Sequence, residues 1–534
     1  MTVHIGGQPP AEVLVRGGTV IDGTGAPPRR ADVVVHGSTV TTVCAPGEAD
    51  TTAARAEVDA TGQVVCPGFI DLHSHADFSI LGHPAADTAL TQGVTTLVAG
   101  NCGWSPFPLT DTETLPRATA FLDPELDWSW NDAAGFARAV DGGAPAVNLA
   151  LQVGHSSLRI AVLGADERAP TRSELKRMCA LLEQAAEQGV HGFSTGLIYA
   201  PGCYADTQEV TALVQVAADR GLLYSTHMRN EAGRLLPAVN EALDTARAAG
   251  ARLEISHLKA MGRPNHGRVA QALQCIERAA ADVDVGCDMY PYTASSTTLT
   301  SRLPTWAIDG GVDALLDRLA DPAIRGRIAA QLRQRLVADV DPDGVVVAAL
   351  PDGPHSDTVG SSLTEIGARL GVGPDEAALR LLEGHQAAVA VVNHAMAEND
   401  VTAVLRHPLA SVASDGWTMR PVGAGAPHPR SFGTFARVLG RYVRERGDLQ
   451  LAEAVAKMTS LPAARAGLTG RGVLQEGAVA DIAVFDPELV TDRSTFADPW
   501  QLSVGVTAVL VAGRIALIEG QLTGHRAGVV LRKG

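Results

Sequence analysis

Lysine is nearly missing from this chain: only Lys176, Lys259, Lys457 and Lys533 contribute to its 43 basic residues, and the rest are arginines. Basic residues of either kind form no block, and acidic residues outnumber them to give a net charge of −16. A nucleic-acid or anionic-membrane surface therefore has little electrostatic support, which leaves a small molecule as the expected partner. No uninterrupted apolar run approaches the ~20 residues needed to span a bilayer, and Met1 to Pro10 show no basic stretch followed by an apolar one. The cysteines are seven in number and never fall into a C-x-x-C pair, which argues against a disulfide framework. Together these absences point to a cytoplasmic protein in a reducing compartment.

What is present is ample apolar sequence in a chain of 534 residues, enough for two to four domains. Residues 11 to 66 alternate in short β-rich bursts broken by glycine, and the same style returns at Ala478–Phe485 and Ala508–Gly513. Two ends of matching grammar are expected to pair into one sheet domain.

Between them, apolar strands alternate with helical segments, the pattern of parallel βα units. Eight candidate strands lie near 65–75, 94–100, 146–154, 190–197, 222–228, 252–258, 283–289 and 410–415. Thr171 with Glu174 predicts the start of a helix that stops at Gly189, and Asp206 with Glu209 the start of another that stops at Gly221. The expected fold is α/β, a TIM-type (β/α)8 barrel spanning 66–465. The gap from 297 to about 405 reads as an insertion between strands 7 and 8, with helix-like stretches at 312–336 and 362–382 and an acidic stretch near 339–356. Residues 1–65 and 466–534 are the two parts of the β domain.

The sharpest chemical signal is Cys66-Pro67-Gly68-Phe69-Ile70-Asp71-Leu72-His73-Ser74-His75, an apolar strand ending in His-x-His. Side chains alternate along a strand, so His73 and His75 point the same way and can share one metal. Cys102, His227 and His257 each follow a candidate strand, and in a βα barrel the carboxyl ends of the strands converge on one mouth. Four imidazoles and one thiolate suit Zn²⁺ better than Mg²⁺ or Ca²⁺. Asp415 in Ala413-Ser414-Asp415-Gly416 brings a carboxylate to the same rim, where it is the natural general base toward a water acidified by zinc. The reaction class is metal-assisted hydrolysis.

Taken together, the His-x-His strand, the strand-end histidines and the final aspartate resemble the amidohydrolase superfamily, and within it the N-acyl-D-amino-acid deacylases, or D-aminoacylases. The resemblance extends over nearly the whole chain. It is carried by 67–75, Gly100-Asn101-Cys102-Gly103, Gly192-Phe193-Ser194-Thr195-Gly196-Leu197, Thr226-His227-Met228-Arg229-Asn230-Glu231, Ser256-His257-Leu258-Lys259, Asp288-Met289-Tyr290-Pro291-Tyr292, Ser414-Asp415-Gly416 and His428-Pro429-Arg430. It implies a small β-sandwich built from both termini. It also implies zinc held tightly by Cys102, His227 and His257, with a second, weaker metal position at His73 and His75 beside Cys102. The implied activity is hydrolysis of N-acyl-D-amino acids to a carboxylate and a free D-amino acid. Ala76-Asp77 departs from the paired acids expected after the first motif.

Cyclic-amide hydrolases of this superfamily bridge two metals with a carboxylated lysine at the end of strand four, and strand four here, His191 to Leu197, has none. A thiolate bridge through Cys102 is the remaining anionic choice. Lys259, two residues past His257, is expected to pair with the substrate α-carboxylate, and Tyr290 to add a hydrogen bond, with Tyr292 competing for that place. Arg302 is a candidate for reading an acidic substrate side chain; His155, Arg159 and Arg430 are further rim candidates. The competing readings are an isoaspartyl-dipeptide or cyclic-amide hydrolase, and a non-catalytic scaffold that should have lost the ligands this chain retains.

Overall fold

In the computed structural model, which describes residues 12–49, 54–111, 113–120 and 126–534, the apolar runs of the middle of the chain become eight parallel strands. In order these are Phe69–Asp71, Val94–Ala99, Asn148–Gly154, Gly192–Gly196, Leu223–His227, Arg252–Ile255, Val285–Met289 and Ala410–Val412. Each pairs with its sequence neighbour, and nearly every residue in them is buried, as expected of strands covered on both faces. The ring closes through a parallel bridge between Ser74 and Gly416. Two backbone hydrogen bonds hold that seam, from His75 N–H to Gly416 O and from Asp415 N–H to His73 O, each 2.7 Å. Barrel closure thus sets the first-strand histidines beside the eighth-strand aspartate.

The helix signals hold. Thr171 and Glu174 form a reciprocal capping box at the start of Arg172–Glu187, and the Asp206 side chain accepts the Glu209 N–H at the start of Thr207–Asp219. The run expected at 312–336 is broken in two, Gly311–Ala320 and Pro322–Ala338, because Asp321 caps the second helix and Pro322 occupies its first position.

Where one strand was expected over 65–75, the structure has two belonging to different sheets. Val64–Pro67 pairs antiparallel with Ile482–Phe485 in a nine-stranded sheet shared by both termini, while Phe69–Asp71 opens the barrel. Gly68 is the pivot: a Cβ there would lie 2.3 Å from the Thr95 side chain, so the chain passes between the sheets only with glycine. The terminal sheet has its own apolar core, including Val15, Val33, Val65, Ile482 and Leu510. Residues up to 11 lie outside the described ones.

The insertion between the seventh and eighth barrel strands is helical where expected, with the run at 362–382 broken into Leu363–Leu370 and Pro374–Gly384 around Gly371 and Gly373, and it also holds a three-stranded antiparallel sheet that the sequence does not announce. Ala390–Asn393 runs between Ser295–Thr298 and Val345–Ala349. A separate cluster around Leu303, Leu315, Ile328, Leu332 and Val391 fills it. Among the described residues no helix is long and apolar enough to cross a membrane.

Candidate metal centre and active site

Cys102 is the hub of the barrel mouth. Its Sγ lies 3.3 Å from His73 Nε2, 3.4 Å from His257 Nε2 and 3.5 Å from His227 Nδ1. His75 Nε2 stands 3.0 Å from Asp415 Oδ1, and His73 Nε2 3.5 Å from the same oxygen. Two donor groups result, His73–His75–Cys102–Asp415 and Cys102–His227–His257, and they share the thiol. All these side chains are buried. Every residue expected to ligate metal is brought into this constellation together with Asp415.

The backbone at three of these positions is unusual. Cys102, His257 and Asp415 have φ of 54°, 37° and 51°, the left-handed region that costs a non-glycine residue about 1–3 kcal/mol. Strain at three donors of one site is held by the surrounding hydrogen bonds. Asn101 donates its amide to Val98 O and Ser74 O, and the Gly103 N–H donates to Ser194 Oγ. Asp71 accepts the His73 and Ser414 N–H groups and the Ser414 hydroxyl, tying the first strand to the eighth.

The imidazoles are oriented from behind by carboxylates, the usual arrangement around metal-binding histidine. His73 Nδ1 faces Asp288 at 3.3 Å. His257 Nδ1 is 3.0 Å from Glu231 Oε1, which also accepts from Lys259 Nζ at 2.6 Å. His227 Nε2 lies 3.5 Å from the other Glu231 oxygen. Asp288 additionally accepts the His257 N–H at 2.7 Å.

Burial holds the His73 imidazole down at about 3, and burial together with Lys259 does the same for His257, so both are neutral donors. Burial pushes the Cys102 thiol far up, reinforced by Asp415 and opposed by Lys259; without a cation it would stay protonated. Burial also favours a neutral Asp415, but Arg430, His73 and the His75 hydrogen bond outweigh it and hold the carboxyl well below its ordinary range. A dication answers both demands, since it ionises the thiol and is attracted by the carboxylate. The donor set of sulfur, imidazole nitrogen and carboxylate oxygen fits a zinc-type ion.

A cavity of about 90 Å³ opens on these donors. Lys259, Tyr290, Arg302 and Arg430 line it, and among the described residues the Arg302 Nε has no hydrogen-bond partner. Tyr290 lines the cavity, whereas Tyr292 turns away against His428 and donates to Pro429 O. Lys259 reaches the cavity but is already paired with Glu231. His155 and Arg159 do not enter the site: both bind Glu209 in a cluster with no exposed surface.

Several site residues had no assigned role in the sequence reading. Glu231 stands four residues after His227, a spacing that could have flagged it. Asp288 sits inside a quoted motif, and Tyr199, whose ring lies edge-on to His227 with centroids 4.8 Å apart, follows strand four by three residues.

The model of the amidohydrolase family matches residues 56–517. The N-acyl-D-glutamate deacylase of Alcaligenes xylosoxydans xylosoxydans is 38% identical over 528 residues, covering 98% of this chain and 97% of that protein. The D-aminoacylase of the same organism is 36% identical over 524 residues, with 98% of each chain covered. The crystal structure of N-acyl-D-glutamate deacylase from Bordetella bronchiseptica, complexed with zinc and a phosphonate inhibitor that mimics the reaction's tetrahedral intermediate, superimposes with a TM-score of 0.82 at 37% identity, covering 97% of this chain and 99% of that one.

Proposed function

This chain belongs to the amidohydrolase family, and from that premise we propose that it is a metal-dependent N-acyl-D-amino-acid deacylase, which hydrolyses the amide to a carboxylate and a free D-amino acid. The observation that carries the reading is the position of Cys102 Sγ, within 3.3–3.5 Å of ring nitrogens on three histidines and common to both donor groups, one of which includes Asp415. No lysine lies on the fourth barrel strand to bridge metals in its place. The proposed metal is zinc, held tightly by Cys102, His227 and His257, with a weaker position at His73 and His75. When bound there, zinc supplies Lewis acidity toward the amide carbonyl and lowers the pKa of water to about 7.

The protein's own groups carry the rest. Asp415 is ionised and fixed on both oxygens, by His75 on one and by Arg430 on the other. It can therefore accept a proton from the attacking water at once, without first losing its own. The same carboxyl then returns that proton to the amide nitrogen as the C–N bond breaks; an amine anion is too basic to leave without it. Lys259 and Tyr290, next to each other on the cavity wall with the ammonium 5.7 Å from the ring centroid, are placed to hold the substrate α-carboxylate. Burial of the site excludes bulk water and strengthens each of these contacts.

Paired N-acetyl-D- and N-acetyl-L-amino acids, given to metal-stripped and zinc-reloaded enzyme, test the reading. Zinc-dependent turnover of the D series supports it. Preference for the L series, or faster hydrolysis of a cyclic amide, overturns it.

A further inference from the structure

A second cavity of about 400 Å³ adjoins the catalytic one, and the two share Trp104, Ile198, Tyr199, Thr298 and Ser301 as a common wall. Beyond that wall its inner surface is mainly apolar, with Ile160, Leu303, Ile308 and Leu315 among its residues. Charge is found at the solvent end, where Arg117 and Asp313 form an ion pair with 63% and 61% of their side chains exposed. Its volume lies within the range of small-molecule sites. The proposed catalytic mechanism uses none of it.

Its position in the barrel determines which part of a substrate it faces. The walls contributed by the barrel come after strands two, three and four: Trp104, Ile160 and the segment from Ile198 to Pro201. The groups placed to hold a carboxylate, Lys259 and Tyr290, follow strands six and seven, and Arg430 follows strand eight. Strand order around the ring is sequential, so the barrel-derived wall of the apolar cavity and the cationic wall lie on opposite sides of the metal donors, while residues between 298 and 315 and residues 386–388, from the insertion after strand seven, complete the cavity's lining. In an N-acyl-amino acid the acyl carbon and the α-carbon likewise lie on opposite sides of the scissile C–N bond. The carboxylate fixes the α-carbon, and with it the amino-acid side chain, on the cationic side. The acyl chain is then directed at strands two to four.

We propose that this second cavity is the acyl-chain site, and that the substrates are N-acyl-D-amino acids bearing a medium or long aliphatic acyl group. The inference rests on the proposed deacylase function and extends it to the acyl half of the substrate. Each methylene buried in such a site contributes about 0.8 kcal/mol, which corresponds to roughly a fourfold gain in kcat/KM.

The test is a series from N-acetyl through N-butyryl, N-hexanoyl and N-octanoyl to N-decanoyl on one D-amino acid, with the zinc-loaded wild type and with Ala388→Phe and Ile308→Trp, which fill the cavity from partly exposed wall positions. In the wild type kcat/KM should rise steeply with chain length and then level off. Both variants should keep N-acetyl turnover and the wild-type melting temperature while losing at least about tenfold on the octanoyl substrate. A flat or falling series in the wild type overturns the inference, as does a variant that changes preference for the amino-acid side chain and leaves the acyl series intact. Turnover of N-acetyl substrate without gain on lengthening overturns this inference alone; absence of turnover at every length overturns the deacylase reading and this inference with it.

Discussion

Arg430 and Asp415 form a buried ion pair, with Nη1 2.6 Å from Oδ2 and only 4% and 8% of the two side chains exposed. The pair leaves the other Asp415 oxygen to His75, and the guanidinium also lies over the Tyr290 ring, 5.0 Å from its centroid. One arginine thus keeps the proposed base ionised and joins it to the carboxylate-binding wall.

Removing that arginine leaves a buried carboxylate without its cation. Arg430→Met should destabilise the metal-free protein by on the order of 3–5 kcal/mol, and the metal-loaded protein by less, because a bound cation also compensates Asp415. Denaturant unfolding in the presence and absence of zinc measures both. A loss under about 1 kcal/mol in both states would show that the pair carries little energy.

Asp415→Asn keeps the size of the side chain but cannot shuttle a proton. Zinc content and substrate affinity should survive while kcat falls at least about 10²-fold. Near-normal kcat in a zinc-loaded mutant would mean that another group moves the proton.

Lys259→Met should raise KM for free-acid substrates and change it much less for substrates with an amidated carboxylate. The comparison matters because Lys259 also pairs with Glu231. An equal effect on both substrates would assign Lys259 to the support of Glu231 instead of the substrate.

Glu231 touches no substrate in this account but orients two imidazoles. Glu231→Gln should weaken metal affinity by about 10–100-fold, read by competition with a chromogenic chelator, with all ligating side chains intact. Unchanged affinity would remove Glu231 from the support of the metal centre.

The parts of this architecture that depend on periodicity were legible in the sequence. His73, His75, Cys102, His227, His257 and Asp415 all end apolar runs, and the barrel makes run ends into neighbours. The capping pairs Thr171–Glu174 and Asp206–Glu209 are local patterns and fixed two helix starts. What escaped depends on tertiary distance. Arg430 was a rim candidate, but its pairing with Asp415, fifteen residues earlier, was not legible, and Asp288 meets His73 across the barrel. Nothing local marks either pairing. The strand Val345–Ala349 lies within an acidic stretch rich in turn residues, so its five residues gave no alternating signal. The division at Gly68 was hidden because strands of two sheets run on with a single residue between them.

The central claim is that the Cys102 thiolate holds a catalytic metal ion, and the metal content of purified Cys102→Ala beside wild type, by plasma mass spectrometry after dialysis against excess zinc, tests it most directly. The account predicts that zinc is retained by the wild type and lost from the mutant, which folds but does not turn over N-acyl-D-amino acids. Full zinc occupancy in the mutant would contradict it.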